Sequence, residues 1–234
     1  MLRAAINLGN PVLARSNPAG IEPTGASVDL ARELGRRLGV PVALVIFDAA
    51  ASVLAAIESS AWDVAFLAVD PARAAAILFT APYAIIEATY LVRDDSPLHA
   101  IEHFDRPGMR IAVGKGAAYD LYLTRTLKEA ELVRSDTSTG AVELFLAAGL
   151  EAAAGVKRAL LDYAGTHPGL RVIDGRFTAI EQAMATPTGR PAARAYLQAF
   201  VEDAKRSGFV AAALERSGQH DARVAPPQAG WPDA

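Results

Sequence analysis

The stretch AVDPARAAAILFTAPY, residues 68–83, places one arginine, Arg73, in a run built almost wholly from small and apolar side chains. A guanidinium keeps its proton at any ordinary pH, so this charge must reach water or meet an anion. Two readings follow. Either Arg73 lies on the wet side of a short helix, or it offers its planar fork to a carboxylate and takes both oxygens in charge-assisted bonds. Asp70 would cap that helix in either case. Two other carboxylates are placed to meet a ligand. Glu181, in FTAIEQAMATP, answers a ligand amine, donates a proton, or is simply a surface group. Work as a general acid would require burial that raises its pKa. Glu87, in YAIIEATYLVR, reads first as a surface carboxylate. Tyr83 follows Pro82 at a strand start and either walls a cleft or packs in the core.

Composition removes several kinds of chemistry. Cysteine is absent, which excludes disulfides, thiolate catalysis and Cys-ligated zinc. Only His99 and His103 stand close together, without a carboxylate ligand pattern, so they read as a solvated connector and no metal or cofactor is expected. A net charge of -3 with no Lys/Arg run argues against nucleic acid or anionic lipid as a partner. No apolar run approaches the roughly 20 residues a spanning helix needs, so no direct membrane insertion is expected. MLRAAINLGNP passes at once into a strand and a turn, with no basic segment before a long apolar core. The expectation is cytoplasmic residence or a leader removed ahead of this start.

The elements that must position these groups alternate regularly. Residues 2–8 read as a strand and 27–39 as a helix, with Ser27 as N-cap, Gly39 as stop, and Val28, Ala31, Leu34 and Leu38 on one face. VALVIF (42–47) reads as a strand buried on both faces. Asp48 then caps a helix to about Ser59, and 62–68 form the next strand. This order implies a parallel sheet with right-handed crossovers. A second unit of the same kind follows the polar, proline-bearing break at 92–98. The expected division is 1–92 plus 184–234 against 93–183, with 219–234 a loosely attached Pro/Gly-rich tail. Two such units joined by two extended segments imply an α/β protein of two lobes. Each lobe is a mostly parallel sheet flanked by helices, and a ligand cleft between the lobes lies at the strand ends. FLAVDPAR and the turn GKGAA (114–118) both follow strand ends.

In order along residues 2–218, the chain resembles the family 3 solute-binding proteins of bacterial ABC transporters, polar amino acid binders with the type II periplasmic binding fold. INLGNPVL resembles the family's opening strand and turn, and GASVDLARELGRRLGV its Gly-Phe-Asp-Val-Asp-Leu helix. WDVAFLAVDPARAAAILFTAPY resembles its Phe-Asp segment, Thr-Pro-Glu-Arg turn and Phe-Ser-x-Pro-Tyr run, while IAVGKGAAYDLYL resembles the opening of its second lobe. The resemblance implies that Arg73 binds a ligand carboxylate, with Asn10, Ala68, Asp70, Tyr83, Gly116, Ala117, Ala118 and Glu181 about the ligand. It implies a monomer that captures a small organic acid or amino-acid-like carboxylate, partnered by ABC transporter permease subunits in the periplasm, and not an enzyme. The alternatives are a cyclohexadienyl-dehydratase-like enzyme with Glu181 as acid, or a cytoplasmic ligand sensor. Departures bear on the ligand. Ala117 and Ala118 replace hydroxyl donors, leaving only backbone N–H groups for an anion. AAAGVKR lacks the family's aspartate for an ammonium, and Asn10 replaces an aromatic. A small carboxylate with an apolar or amide-bearing body fits better than an ordinary α-amino acid.

Overall fold

Apolar strands alternating with amphipathic helices can bury both faces of a sheet only by layering helices on each side of it. The computed structural model of the chain, which describes residues 1–17 and 22–228, has that arrangement twice. The chain divides into two compact units, Met1–Ile85 with Glu181–Ala234, and Ile86–Ile180.

The first unit holds β1 (Leu2–Asn7), α1 (Ala26–Leu38), β2 (Val42–Phe47), α2 (Ala50–Ala55) and β3 (Val64–Ala68). It also holds the first part of β4 (Ile77–Arg93). Its strand order is β2-β1-β3-β9, where β9 (Thr178–Pro187) brings the chain back. β1 pairs with β2 and β3 in parallel, and β9 pairs with β3 antiparallel. The helices α6 (Pro191–Arg206) and α7 (Phe209–Arg216) and the short β10 (Arg223–Val224) complete it. Ala5, Val53, Trp62, Ala65, Leu67, Ile77 and Ala185 pack on one face, where Trp62 Nε1 donates to Val53 O at 2.9 Å. α1 ends as expected at Gly39, whose φ of 66° permits the left-handed cap.

The second unit orders the rest of β4, then β7 (Ala152–Val156), β5 (Arg110–Gly114) and β6 (Glu131–Ser135). β8 (Leu170–Val172) also pairs with β4. β5 is parallel to β6 and β7. The helices are α3 (Ala118–Thr126), α4 (Ser138–Ala147) and α5 (Lys157–Thr166). Leu91, Ala112, Phe145, Leu150, Ala153 and Leu160 form its core.

Several expectations change. The units divide at 85/86 and 180/181 rather than at 92/93 and 183/184, because β4 and β9 continue through the boundary as strands. The N-cap of α1 is Gly25, at φ 133°; Ser27 lies inside the helix, buried, its Oγ 3.4 Å from Tyr83 Oη. β2 is an edge strand with Ile46 exposed, not a strand buried on both faces. Asp48 caps nothing, since α2 starts after Ala49 and ends at Ala55. Residues 71–76 are turns rather than a helix.

The expected loose tail is docked as far as it is described, residues 229–234 lying outside the described residues. Arg223 and Val224 pair antiparallel with Ile85 and Ala84, and Ala225 is buried. Composition pointed to a free end because Pro and Gly resist helices, but neither prevents a short edge strand. Among the described residues, no helix is long and apolar enough to cross a membrane.

Candidate functional site

Because β1, β2 and β3 run parallel, the segments after Asn7, Phe47 and Ala68 leave the first unit's sheet at one end, its carboxyl end. Leu8 N donates to Phe47 O at 2.8 Å, and a Cβ on Gly9 would lie 2.6 Å from Asp48 O, so the first two segments touch. The antiparallel β9 brings its start to the third: Val69 N donates to Glu181 O at 2.8 Å. Open α/β sheets bind ligands at this end.

Arg73 stands in the turn that follows β3. Asp70 organises the turn, its Oδ1 accepting from Ala72 N at 2.9 Å and its carbonyl from Arg73 N at 3.0 Å. The Arg73 side chain then folds back on the strand end, Nη1 donating to Ala68 O at 2.8 Å. The residue is only 2% exposed, so the wet-side reading fails. Burial pushes the guanidinium pKa down to about 10, against the pull of Asp70, which favours the charged form. It stays a cation at neutral pH, held in a poorly solvated place. Such a charge gains more from an anion than an exposed one does.

The other expected residues separate. Ala68 and Asp70 are buried about Arg73. Asn10 sits in the segment after β1, its carbonyl accepting from Leu13 N and Ala14 N. Its Oδ1 is buried with no hydrogen-bond partner among the described residues, an acceptor suited to a ligand donor. Glu181 contributes its carbonyl to the Arg73 turn, but its side chain is exposed. Tyr83 is not a ligand wall. It is fully buried in the first unit's core, edge-on to Phe66 at 6.2 Å, and burial raises its pKa. Gln182 was not singled out from sequence, yet it is buried and pairs directly with Ala68. The alternation of Ile180, Gln182 and Met184 along β9 was the signal, since it sets Gln182 on the buried face and Glu181 off it.

Gly116, Ala117 and Ala118 open α3 after β5, but their amides are not all available to an anion. Gly116 N donates to Asp120 Oδ2 at 2.8 Å, and Ala117 N to Gly114 O at 3.0 Å. Asp120 is itself buried and also takes Arg134 Nε at 3.0 Å. Sequence reasoning overlooked it, although an acid in the first turn of a helix is a usual anchor for such amides. Glu87 is paired with Arg176 at 2.6 Å and Lys157 at 3.7 Å. His99 N donates to His103 Nδ1 at 3.2 Å, and among the described residues no group of three His, Cys, Asp or Glu suits a metal. An open cavity of about 390 Å³ lies at the opposite, amino-terminal end of β5 and β7, lined by Leu98, Met109 and Leu150 among others, and holds none of the expected site residues.

A family model described as bacterial extracellular solute-binding proteins, family 3, matches residues 2–220. No curated protein sequence matches the chain. Solved structures do. A solute receptor for L-cysteine of Neisseria gonorrhoeae is 22% identical over 93% of this chain and 89% of its own, with a TM-score of 0.81. The amino acid ABC transporter substrate-binding protein AbpA from Streptococcus pneumoniae, bound to L-arginine, is 16% identical over 92% and 93%, with a TM-score of 0.79. An ancestral amino acid-binding protein, a precursor of cyclohexadienyl dehydratase, is 20% identical over 92% and 94%, with a TM-score of 0.77. At these identities the likeness establishes the fold, that of the type II periplasmic binding proteins.

Proposed function

Since the chain belongs to the family 3 bacterial extracellular solute-binding proteins, we propose that it captures a small carboxylate-bearing solute through Arg73. The observation that carries this reading is a guanidinium 2% exposed, its pKa lowered by burial, fixed by a backbone carbonyl at the carboxyl end of a parallel strand. Its planar fork suits both oxygens of a carboxylate. Asn10 Oδ1 supports a solute that also carries a hydrogen-bond donor. Structures of similar fold are described as a receptor for L-cysteine and as bound to L-arginine, which supports an amino-acid-like solute. The two units serve as the two lobes. The protein works as a monomer outside the cytoplasmic membrane and passes its solute to ABC permease subunits.

Binding without turnover is the favoured reading. An exposed Glu181 lacks the burial that would tune it as a general acid. The dehydratase precursor of similar fold is itself described as an amino acid-binding protein.

A thermal-shift panel of amino acids and small organic acids, including L-cysteine, L-arginine and succinate, identifies a probe. A ligand at a hundredfold excess over its Kd stabilises by about 2.7 kcal/mol. Calorimetry with that probe should then show Arg73→Ala losing about 1.5–3 kcal/mol of affinity, one to two orders of magnitude. Arg73→Lys, which keeps charge but loses the fork, should fall between. Unchanged affinity in Arg73→Ala would overturn the assignment.

A further inference from the structure

The family model stops at residue 220, and the chain beyond it does not trail away. Every residue of β4 from Ala81 to Ile85 is bonded either to this segment or to a side chain of α6. Ile85 and Ala84 pair with Arg223 and Val224. Tyr83 O accepts from Ala225 N at 3.1 Å. Pro82 O accepts from Lys205 Nζ at 3.2 Å, and Ala81 N donates to Gln198 Oε1 at 2.6 Å. Ile85 is the last residue of the first unit before the chain leaves it.

The side chains come from α6, where Gln198, Glu202 and Lys205 are buried together. Lys205 Nζ meets Glu202 Oε1 at 2.8 Å, and both side chains are only 3% exposed. A pair buried this deeply is tolerable only when its remaining hydrogen-bonding capacity is used. An ammonium has three donors, and Lys205 has three acceptors: Glu202, Pro82 O, and Pro226 O at 2.9 Å. Glu202 Oε1 also accepts from Gln198 Nε2 at 3.2 Å, and Oε2 from Gln228 N at 3.3 Å. The segment therefore completes the shell of a buried ion pair. Peeling it off removes one of the three acceptors of Lys205 and one donor to Glu202.

We propose that residues 221–228 are a splint for β4, holding the strand rigid up to the point where the chain leaves the first unit. β4 needs one because Pro82 has no N–H to give a ladder, and an edge left with unpaired groups opens locally. The rigidity of this exit then depends on a segment outside the family-matching part of the chain.

Hydrogen exchange read by mass spectrometry tests it on the purified protein without added ligand. In a chain ended after His220, the amides of residues 83–86 should exchange about tenfold faster or more, with β1 unchanged. The full-length variant Ala225→Pro removes one donor to β4 and should give the same local change at smaller size, even if the shortened chain folds poorly. Exchange in Ala225→Pro that stays within about twofold of the unaltered protein at 83–86, or that rises evenly over both units, overturns the splint.

Discussion

Each unit ends a buried parallel strand in a turn, and the two turns treat charge in opposite ways. After β5, Gly116 N–H is taken by Asp120, and the same carboxylate is bound by Arg134, so the turn is closed by the chain's own acid. After β3, the charge is a cation held by Ala68 O, with Asp70 near enough to favour it but not to offset the cost of burial. Strand-end geometry alone therefore does not make a binding site. What differs is the group each turn buries: an acid that takes a backbone amide in one, and in the other a cation whose charge burial disfavours. The amino-terminal end of β3 makes the point within one strand. There Asp63 is fully engaged by Arg3, at 2.7 Å from Nη2 and 3.1 Å from Nε, with Arg190 at 3.2 Å.

The largest expected effect breaks the closed turn. Asp120→Ala removes the acceptor of Gly116 N and of Arg134 Nε, and should cost about 2–3 kcal/mol in urea unfolding. Asp120→Asn, which keeps an acceptor, should cost less. A loss in Asp120→Ala below about 0.5 kcal/mol would mean that the turn does not depend on its acid.

A smaller effect is expected at acid pH. Hydrogen bonds from Arg3, ahead of those from Arg190, hold the Asp63 pKa down to about 2 despite burial. A folded pKa below the unfolded value means that the stabilisation is full above about pH 4 and is lost as pH falls toward about 2. Asp63→Asn should flatten that part of the stability–pH curve by about 1–2 kcal/mol, after allowing for partial solvent screening. Parallel curves for the two proteins would show that this end of β3 is not held by its charge.

The smallest effect is the sharpest test. Arg73→Ala should leave stability without solute within about 1 kcal/mol of the unaltered protein, because loss of the bond to Ala68 and of the attraction to Asp70 is offset by relief of a buried charge. A loss as large as that of Asp120→Ala would make Arg73 a structural group and remove the contrast between the two turns.

Much of this was legible along the chain. The alternation of elements, the stop at Gly39 and the lone charge of Arg73 are local signals, readable because each depends on residues within a turn or two of itself. The failures share one cause. The sequence leaves Tyr83 between a cleft wall and the core, because nothing nearby shows that Ser27 will meet it across 56 residues. The segment 219–234 reads as loose from its Pro and Gly content, which does not show that Gln198, Glu202 and Lys205 on α6 will be buried together and that Lys205 and Glu202 will bond it.

The sequence by itself determined which elements form, their order, and where a permanent cation interrupts an apolar run, since these follow from periodicity and from a charge that cannot titrate away. Only the tertiary structure decided which charges are already answered. Asp120 closes its turn, Glu202 and Lys205 hold each other and the C-terminal segment, and Arg73 is kept buried against a carbonyl. The value of a charge depends on its solvent and its partners, and both are set by residues distant in sequence that folding brings together.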